Sequence, residues 1–204
     1  MKIGIVNYSI GNVGSVYSAF KFYKYDTLLI DKPGALADVN IIVLAGVGNF
    51  PTAISRLKAL DLWDAINEEV LNKKKPVLGI CLGMQLFADI SYENGENKGF
   101  GWIKGKVMKM DSESVRVPHI GWDEVKPSDN NKLFKGMRNN FFYFMHSYHF
   151  VLEDNDANIA TTNYGDLKIC SAVKKDNIVG VQFHPEKSQG DGLRFLKNTV
   201  EAMI

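Results

Sequence analysis

The chain predicts an α/β fold: a doubly wound, mostly parallel sheet flanked by helices, with an antiparallel extension in its second half. Three observations support this. Apolar runs alternate with segments of helical periodicity from the first residues onward. The run Ile41-Ile42-Val43-Leu44-Ala45 has no polar break, as expected of a parallel strand covered on both faces. Beyond about residue 100 the alternation gives way to shorter strand-like runs without helices between them.

In order, Ile3 to Val6 forms a first strand that ends at Asn7-Tyr8-Ser9-Ile10-Gly11-Asn12. Val13, Val16, Tyr17 and Phe20, three and four residues apart, then mark a helix. Thr27 to Ile30 is a second strand, closed by the turn residues Asp31-Lys32-Pro33-Gly34. The third strand, Ile41 to Ala45, leads through Gly46-Val47-Gly48-Asn49 into a helix from Phe50 to about Leu71. Pro76 to Ile80 is the fourth strand, and Leu82 to Phe87 returns to helix. Such repeats close as right-handed crossovers. Strands are also predicted over Gly105–Met110, Phe141–Tyr148 and Ile178–Phe183, and a last helix from about Gly190 to Met203. With no internal repeat and no linker, residues 1–204 are expected to form a single domain.

Composition excludes several classes. Twenty-four Lys and Arg against 23 Asp and Glu leave a net charge of +1, without the basic excess of a nucleic-acid binder. No run approaches the roughly 18–20 apolar residues that span a bilayer. Met1 to Val6 enters a strand pattern at once, unlike a secretory leader. Cys81 and Cys170 are too few for a disulfide framework and lack metal-ligand spacing. The chain therefore reads as soluble and cytoplasmic, with no metal, no cofactor, no nucleic acid and no membrane among its partners.

Gly79-Ile80-Cys81-Leu82-Gly83 places a cysteine between two glycines where a buried strand gives way to a helix. This is the form of a nucleophile elbow with cysteine in the serine position. A sharp turn strains the nucleophile's backbone, small flanking residues admit close neighbours, and a helix N-terminus favours the thiolate. The amide of Leu82 would point at a developing oxyanion. The plainer alternative is a small apolar core residue. Cys170, in Leu167 to Val173, has no such setting and reads as a buried strand position.

A thiol nucleophile needs a base. His184 lies at a strand end in Val181-Gln182-Phe183-His184-Pro185-Glu186-Lys187-Ser188. Residues two apart on extended chain share a face, so Glu186 can orient His184. An exposed polar strand end is the alternative. His119 suits a structural hydrogen bond, and at least one of His146 and His149 is expected to line the site.

Cys81 in Gly-Ile-Cys-Leu-Gly-Met-Gln, together with His184-Pro185-Glu186, resembles the class I, triad-type glutamine amidotransferases. Pro118-His119-Ile120-Gly121-Trp122, Tyr143 to Tyr148, Gln182 to Ser188, Gly11-Asn12 and Gly46-Val47-Gly48 narrow the resemblance to the glutaminase subunits of imidazole glycerol phosphate synthase. It covers the whole chain. It implies hydrolysis of glutamine through a thioester on Cys81, with His184 moving protons and Glu186 orienting it. Leu82, Val47 and Gly48 would form the oxyanion hole. Gln85, Glu93, Ser147 and Tyr148 would hold glutamine. The ammonia would pass to a (β/α)8-barrel cyclase partner in a heterodimer, docked near Asn12, Trp122, Tyr143 and Lys187.

Three positions depart from that pattern: Asn7 where Asp is usual, Ala45 for a proline, and Asp123 for Asn. Losing a proline beside the Gly-Val-Gly loop could loosen it. Gly11 to Val16 also resembles paralogues that feed ammonia to acetamidino-sugar synthesis, which is the rival reading. A non-catalytic scaffold and a stand-alone hydrolase are further alternatives.

Overall fold

The computed structural model describes residues 1–153 and 155–204. In chain order its helices and strands are β1 (Lys2–Val6), α1 (Val13–Phe22), β2 (Asp26–Ile30), β3 (Ile41–Gly46), α2 (Phe50–Ala59), α3 (Leu62–Asn67), β4 (Val77–Cys81), α4 (Leu82–Gln85), β5 (Ile90–Ser91), β6 (Asn97–Lys98), β7 (Gly105–Lys109), β8 (His119–Glu124), β9 (Lys126–Pro127), β10 (Phe141–His146), β11 (Tyr148–Leu152), β12 (Asn158–Tyr164), β13 (Leu167–Lys175), β14 (Ile178–Val181) and α5 (Gln189–Ala202). The main sheet has eight strands in the order β2-β1-β3-β4-β14-β13-β12-β9. Its first five strands are mutually parallel and the last three antiparallel, matching the expected class.

The period of two along each strand divides the core. Ile41, Val43 and Ala45 of β3 face a layer that includes Val16 and Phe20 of α1 and Phe195, Leu196 and Val200 of α5. Ile42 and Leu44 face the opposite layer, with Ala53 and Leu57 of α2 and Ile66 of α3. Every residue of β3 and β4 is buried, which is why both read as unbroken apolar runs. Each fully buried Leu, Ile or Phe contributes roughly 1.5–3 kcal/mol. Asn49 starts α2 by accepting from the Thr52 amide at 3.1 Å, a cap of about 1 kcal/mol.

Three element predictions need correction. The helix expected from Phe50 to Leu71 is two helices, because Asp61 adopts a left-handed φ of 56° and turns the chain between them. A wide helical turn over Glu68–Asn72 follows. The helix expected over Leu82–Phe87 is a single turn of four residues. The carbonyls of Leu86, Phe87 and Ala88 accept instead from Phe100, Ile103 and Gly101 at 2.8, 3.1 and 3.0 Å, which ends the helix. The strand expected over Phe141–Tyr148 breaks at Ser147. β10 pairs with β8 in a two-stranded ribbon, whereas β11 joins β7 in a four-stranded sheet. That crossing brings His146, Ser147 and Tyr148 to the carboxyl ends of the parallel strands.

Candidate active site

Cys81 closes β4 with φ 53° and ψ −108°, a conformation that side chains rarely adopt and that costs about 1–3 kcal/mol. The two glycines around it allow the turn by close approach. A Cβ on Gly83 would overlap the Leu44 carbonyl of β3, and one on Gly79 would overlap the Phe87 ring and lie 2.7 Å from the Met84 nitrogen. Gly46 pairs with Cys81 across β3 and β4, so Val47 and Gly48 emerge beside the thiol. Gly48 makes that turn at φ 121°.

β14 lies on the other side of β4, with Val181 opposite Ile80, so the chain beyond it delivers His184 to the same sheet edge. The backbone of His184 is clamped. Its amide donates to the Tyr143 carbonyl at 2.8 Å, and its carbonyl accepts from the Ser188 hydroxyl at 2.6 Å. The Ser188 oxygen in turn accepts from the Tyr143 amide at 2.9 Å. His184 Nδ1 and Glu186 Oε1 are 2.8 Å apart, with both side chains only 1% exposed. The contact is made through the helical turn Pro185–Lys187 rather than along an extended chain, which corrects the geometry expected from alternation.

With Nδ1 engaged, Nε2 meets no hydrogen-bond partner of good geometry and is left to face the thiol. Burial opposes charge on His184. The negative charge and hydrogen bonding of Cys81, reinforced by Glu186, outweigh burial and push the imidazole up to about 10. Gln182 Nε2 also donates to Cys81 Sγ at 3.6 Å. The group can attack a carbonyl carbon with sulfur and move a proton on nitrogen.

A cavity of about 260 Å³ opens over Cys81. It is smaller than a typical drug-sized pocket of roughly 300–1,000 Å³, a scale that suits an amino acid. Val47, Gly48, Leu82, Gln85, Glu93, Ser147 and Tyr148 all line it, so every predicted oxyanion and substrate position is brought together. Glu93 accepts from the Phe50 amide at 2.7 Å. Burial raises its pKa, against the Phe50 amide and the Asn49 side chain. Gln85 Nε2 donates to the Tyr148 carbonyl at 2.8 Å and to Gln182 Oε1 at 3.0 Å.

A larger recess of about 700 Å³ between β9, β11, β12 and β13 contains Cys170 and His149, with Cys170 in β13 as expected of a buried strand position. Burial pushes the Cys170 thiol up to about 12, which leaves it inert as a nucleophile. His146, not His149, lines the cavity at Cys81. His119 is held by hydrogen bonds to Asp123 and His146, the structural role its sequence setting indicated.

Of the predicted docking residues, Trp122, Tyr143 and Lys187 cluster. The two rings meet edge to face at 6.1 Å, and Lys187 Nζ lies 5.7 Å from the Tyr143 ring centre. Ile120, Trp122 and Phe141 on the same ribbon are 58, 43 and 42% exposed. Asn12 lies just before α1, its side-chain oxygen accepting from the Ser15 hydroxyl at 2.7 Å. The sequence reading gave no role to Gln182 or Ser188, although both lie in the segment it singled out. It also passed over Tyr8, a buried phenol without a partner, whose acidity burial and then Cys81 suppress. Among the described residues no cluster of three or more His, Cys, Asp or Glu could hold a metal, and no helix is long and apolar enough to cross a membrane.

A thiol on a strained strand-to-helix turn, faced by an imidazole that a carboxylate orients, defines a hydrolase-type elbow of the cysteine class. Residues 8–203 match the family model described as glutamine amidotransferase class-I. The imidazole glycerol phosphate synthase subunit HisH of Pelagibacter ubique is 42% identical, covering 97% of this chain and 98% of the relative. That of Pyrococcus furiosus is 44% identical over 97% of each. The chain belongs to the class-I glutamine amidotransferase family, within its HisH branch. A solved glutamine amidotransferase superposes with a TM-score of 0.78 at 16% identity, covering 98% of both chains, and shares the fold.

Proposed function

We propose that the chain, as one amidotransferase domain over residues 1–204, hydrolyses glutamine to glutamate and ammonia in histidine biosynthesis. Its partner is a (β/α)8-barrel cyclase that uses the ammonia to make imidazole glycerol phosphate and AICAR. The observation that carries this reading is the His184–Glu186 contact of 2.8 Å beside a strained Cys81, in a chain about 40% identical to synthase subunits along nearly all its length. The Cys81 thiolate attacks the side-chain amide carbon. The amides of Leu82 and Val47, with Gly48 turning the loop, receive the oxyanion. As the tetrahedral intermediate collapses, His184 gives its proton to the departing ammonia and leaves a γ-glutamyl thioester. Water then loses a proton to His184, attacks the thioester, and releases glutamate and the thiolate. Gln85, Glu93, Ser147 and Tyr148 hold the substrate, and neither half-reaction needs a metal or cofactor.

Trp122, Tyr143 and Lys187, with Asn12 at the margin, form the face that docks on the cyclase in a cytoplasmic heterodimer. Such a partnership makes ammonia delivery, rather than free ammonia, the product. The test is glutamate release by the chain alone and with a histidine-pathway cyclase from the same genome, with and without the cyclase's ribonucleotide. Turnover that needs the cyclase and rises with its ligand is expected, and Cys81→Ala should abolish it while leaving complex formation intact. Idleness with that cyclase, but turnover with a second, surface-glycan cyclase, would move the chain to acetamidino-sugar synthesis. Lys187→Ala should weaken docking or leak ammonia, as read by titration and by the ratio of free ammonia to cyclised product.

A further inference from the structure

A string of hydrogen bonds leads from the surface of β8 to the wall of the glutamine cavity. Asp123 Oδ2 is 2.7 Å from His119 Nε2, and its side chain is 35% exposed. His119 Nδ1 is 3.1 Å from His146 Nε2, and His146 Nδ1 is 2.8 Å from the Tyr148 carbonyl. That same carbonyl accepts from Gln85 Nε2 at 2.8 Å inside the cavity. Both imidazoles are buried.

The ends of this string impose a proton count. A carbonyl oxygen only accepts, and an ionised carboxylate only accepts. Both outer nitrogens must therefore carry hydrogen, and the central nitrogen pair must share one more. Three ring protons are required, whereas two neutral imidazoles supply two.

We infer that Asp123, His119 and His146 hold one extra proton between them, and that this proton completes the hydrogen bonds fixing the Tyr148–Gln85 wall of the glutamine site. Asp123 and His119 are positioning residues, because neither lines the cavity. The inference rests on the glutaminase reading for its consequence, though not for its proton count. His146 is a poor home for the charge: burial draws it down to about 3, and the charges of His119, His149 and His184 press the same way. His119 is the better one. Burial outweighs the hydrogen bond and charge of Asp123 and leaves its proton affinity below that of a free imidazole, though these two oppose the loss. The extra proton is therefore held on the acid side of the ordinary histidine range. The His119 ring is also stacked between Phe144 and Tyr164, at 4.6 and 3.9 Å, faces that favour a cation. The titratable groups facing the string are therefore Asp123 on its own strand, Tyr164 on β12, His149 on β11, and His184 beyond β14.

Raising the pH from the acid side toward neutrality removes the third proton. One link then sets acceptor against acceptor, and the wall loosens. Asp123→Asn removes this dependence, since an amide can donate to His119 Nε2 and two ring protons then satisfy the string.

The test uses the full chain with histidine-selective 15N labelling, wild type and Asp123→Asn. Three ring N–H protons on His119 and His146, one of them lost as the pH rises, are expected for the wild type, and two at every pH for the variant. In the complex with its cyclase, the wild-type KM for glutamine should rise about five-fold as that proton leaves, the equivalent of one hydrogen bond of about 1 kcal/mol, while kcat follows its own profile. The variant's KM should stay flat. Two ring protons in the wild type throughout, or an unchanged KM rise in Asp123→Asn, would overturn the inference. Absence of any glutamine turnover in the wild-type complex would instead sink the proposed function, with the proton count still deciding the string.

Discussion

At the scale of single residues, Cys81 and His184 differ in how they are held. Strain at Cys81 is local, set by the turn it sits on, whereas His184 is held by Tyr143 of β10 and by Ser188 at the far end of its own turn. Glu186 completes the arrangement by fixing which imidazole nitrogen faces the thiol. Glu186→Gln keeps an acceptor for Nδ1 but withdraws the charge that favours the imidazolium. Turnover should fall about 10²–10⁴-fold. Because Glu186 helps raise His184 to about 10, the alkaline limb of kcat/KM should also move to lower pH in this variant. A full pH–rate profile of both proteins checks the two effects together. An unshifted alkaline limb would mean that Glu186 does not support the charge on His184.

At the scale of elements, the turn around Cys81 depends on backbone meeting backbone. A methyl group at position 83 has only the Leu44 carbonyl of a fully buried strand to displace. Gly83→Ala should therefore lower stability by about 3 kcal/mol or more, measured by urea denaturation, and reduce glutaminase activity by moving α4 and the Leu82 amide. The parallel strands were legible in the sequence because burial on both faces leaves continuous apolar runs. Cys81, His184 and Glu186 were legible because each sits in a short window whose residue types are rare together. What stayed hidden was set by distant partners. Asp61 turns left-handed without a glycine, so helical periodicity runs across the break unmarked. Ser147 changes sheets inside an aromatic-rich stretch with no Gly or Pro to mark the break, for reasons lodged in β7 and β8. The bond from Gln182 to Cys81 joins residues 101 positions apart, which no local pattern reports.

At the scale of the whole molecule, two buried histidines pull the pH dependence of stability in opposite senses. An unfolded imidazole titrates near 6.5. His146 refuses a proton down to about 3 in the folded chain, so the unfolded state binds more protons between those values and stability falls as the pH drops. His184 keeps its proton up to about 10, so its contribution is complete below 6.5 and is lost as the pH rises through 10. Each limb has a slope of at most about 1.4 kcal/mol per pH unit per group. Urea midpoints measured from pH 4 to 10 should pass through a maximum near neutrality. His184→Gln should flatten the alkaline side alone.

The place of β14 in the main sheet has a further consequence, for the order in which the molecule comes into being. This strand is made about a hundred residues after β4, yet it sits in the interior of the sheet, between β4 and β13. A chain emerging from the ribosome therefore carries its thiol for about a hundred residues while one edge of β4 stands bare. Only when Ile178–Val181 arrives is that edge closed, and the chain that leaves this strand carries His184 to the thiol. Closing the sheet and bringing His184 to Cys81 are thus one event. A nascent or truncated chain lacking this strand can hold a cysteine at the turn but has no means of spending glutamine.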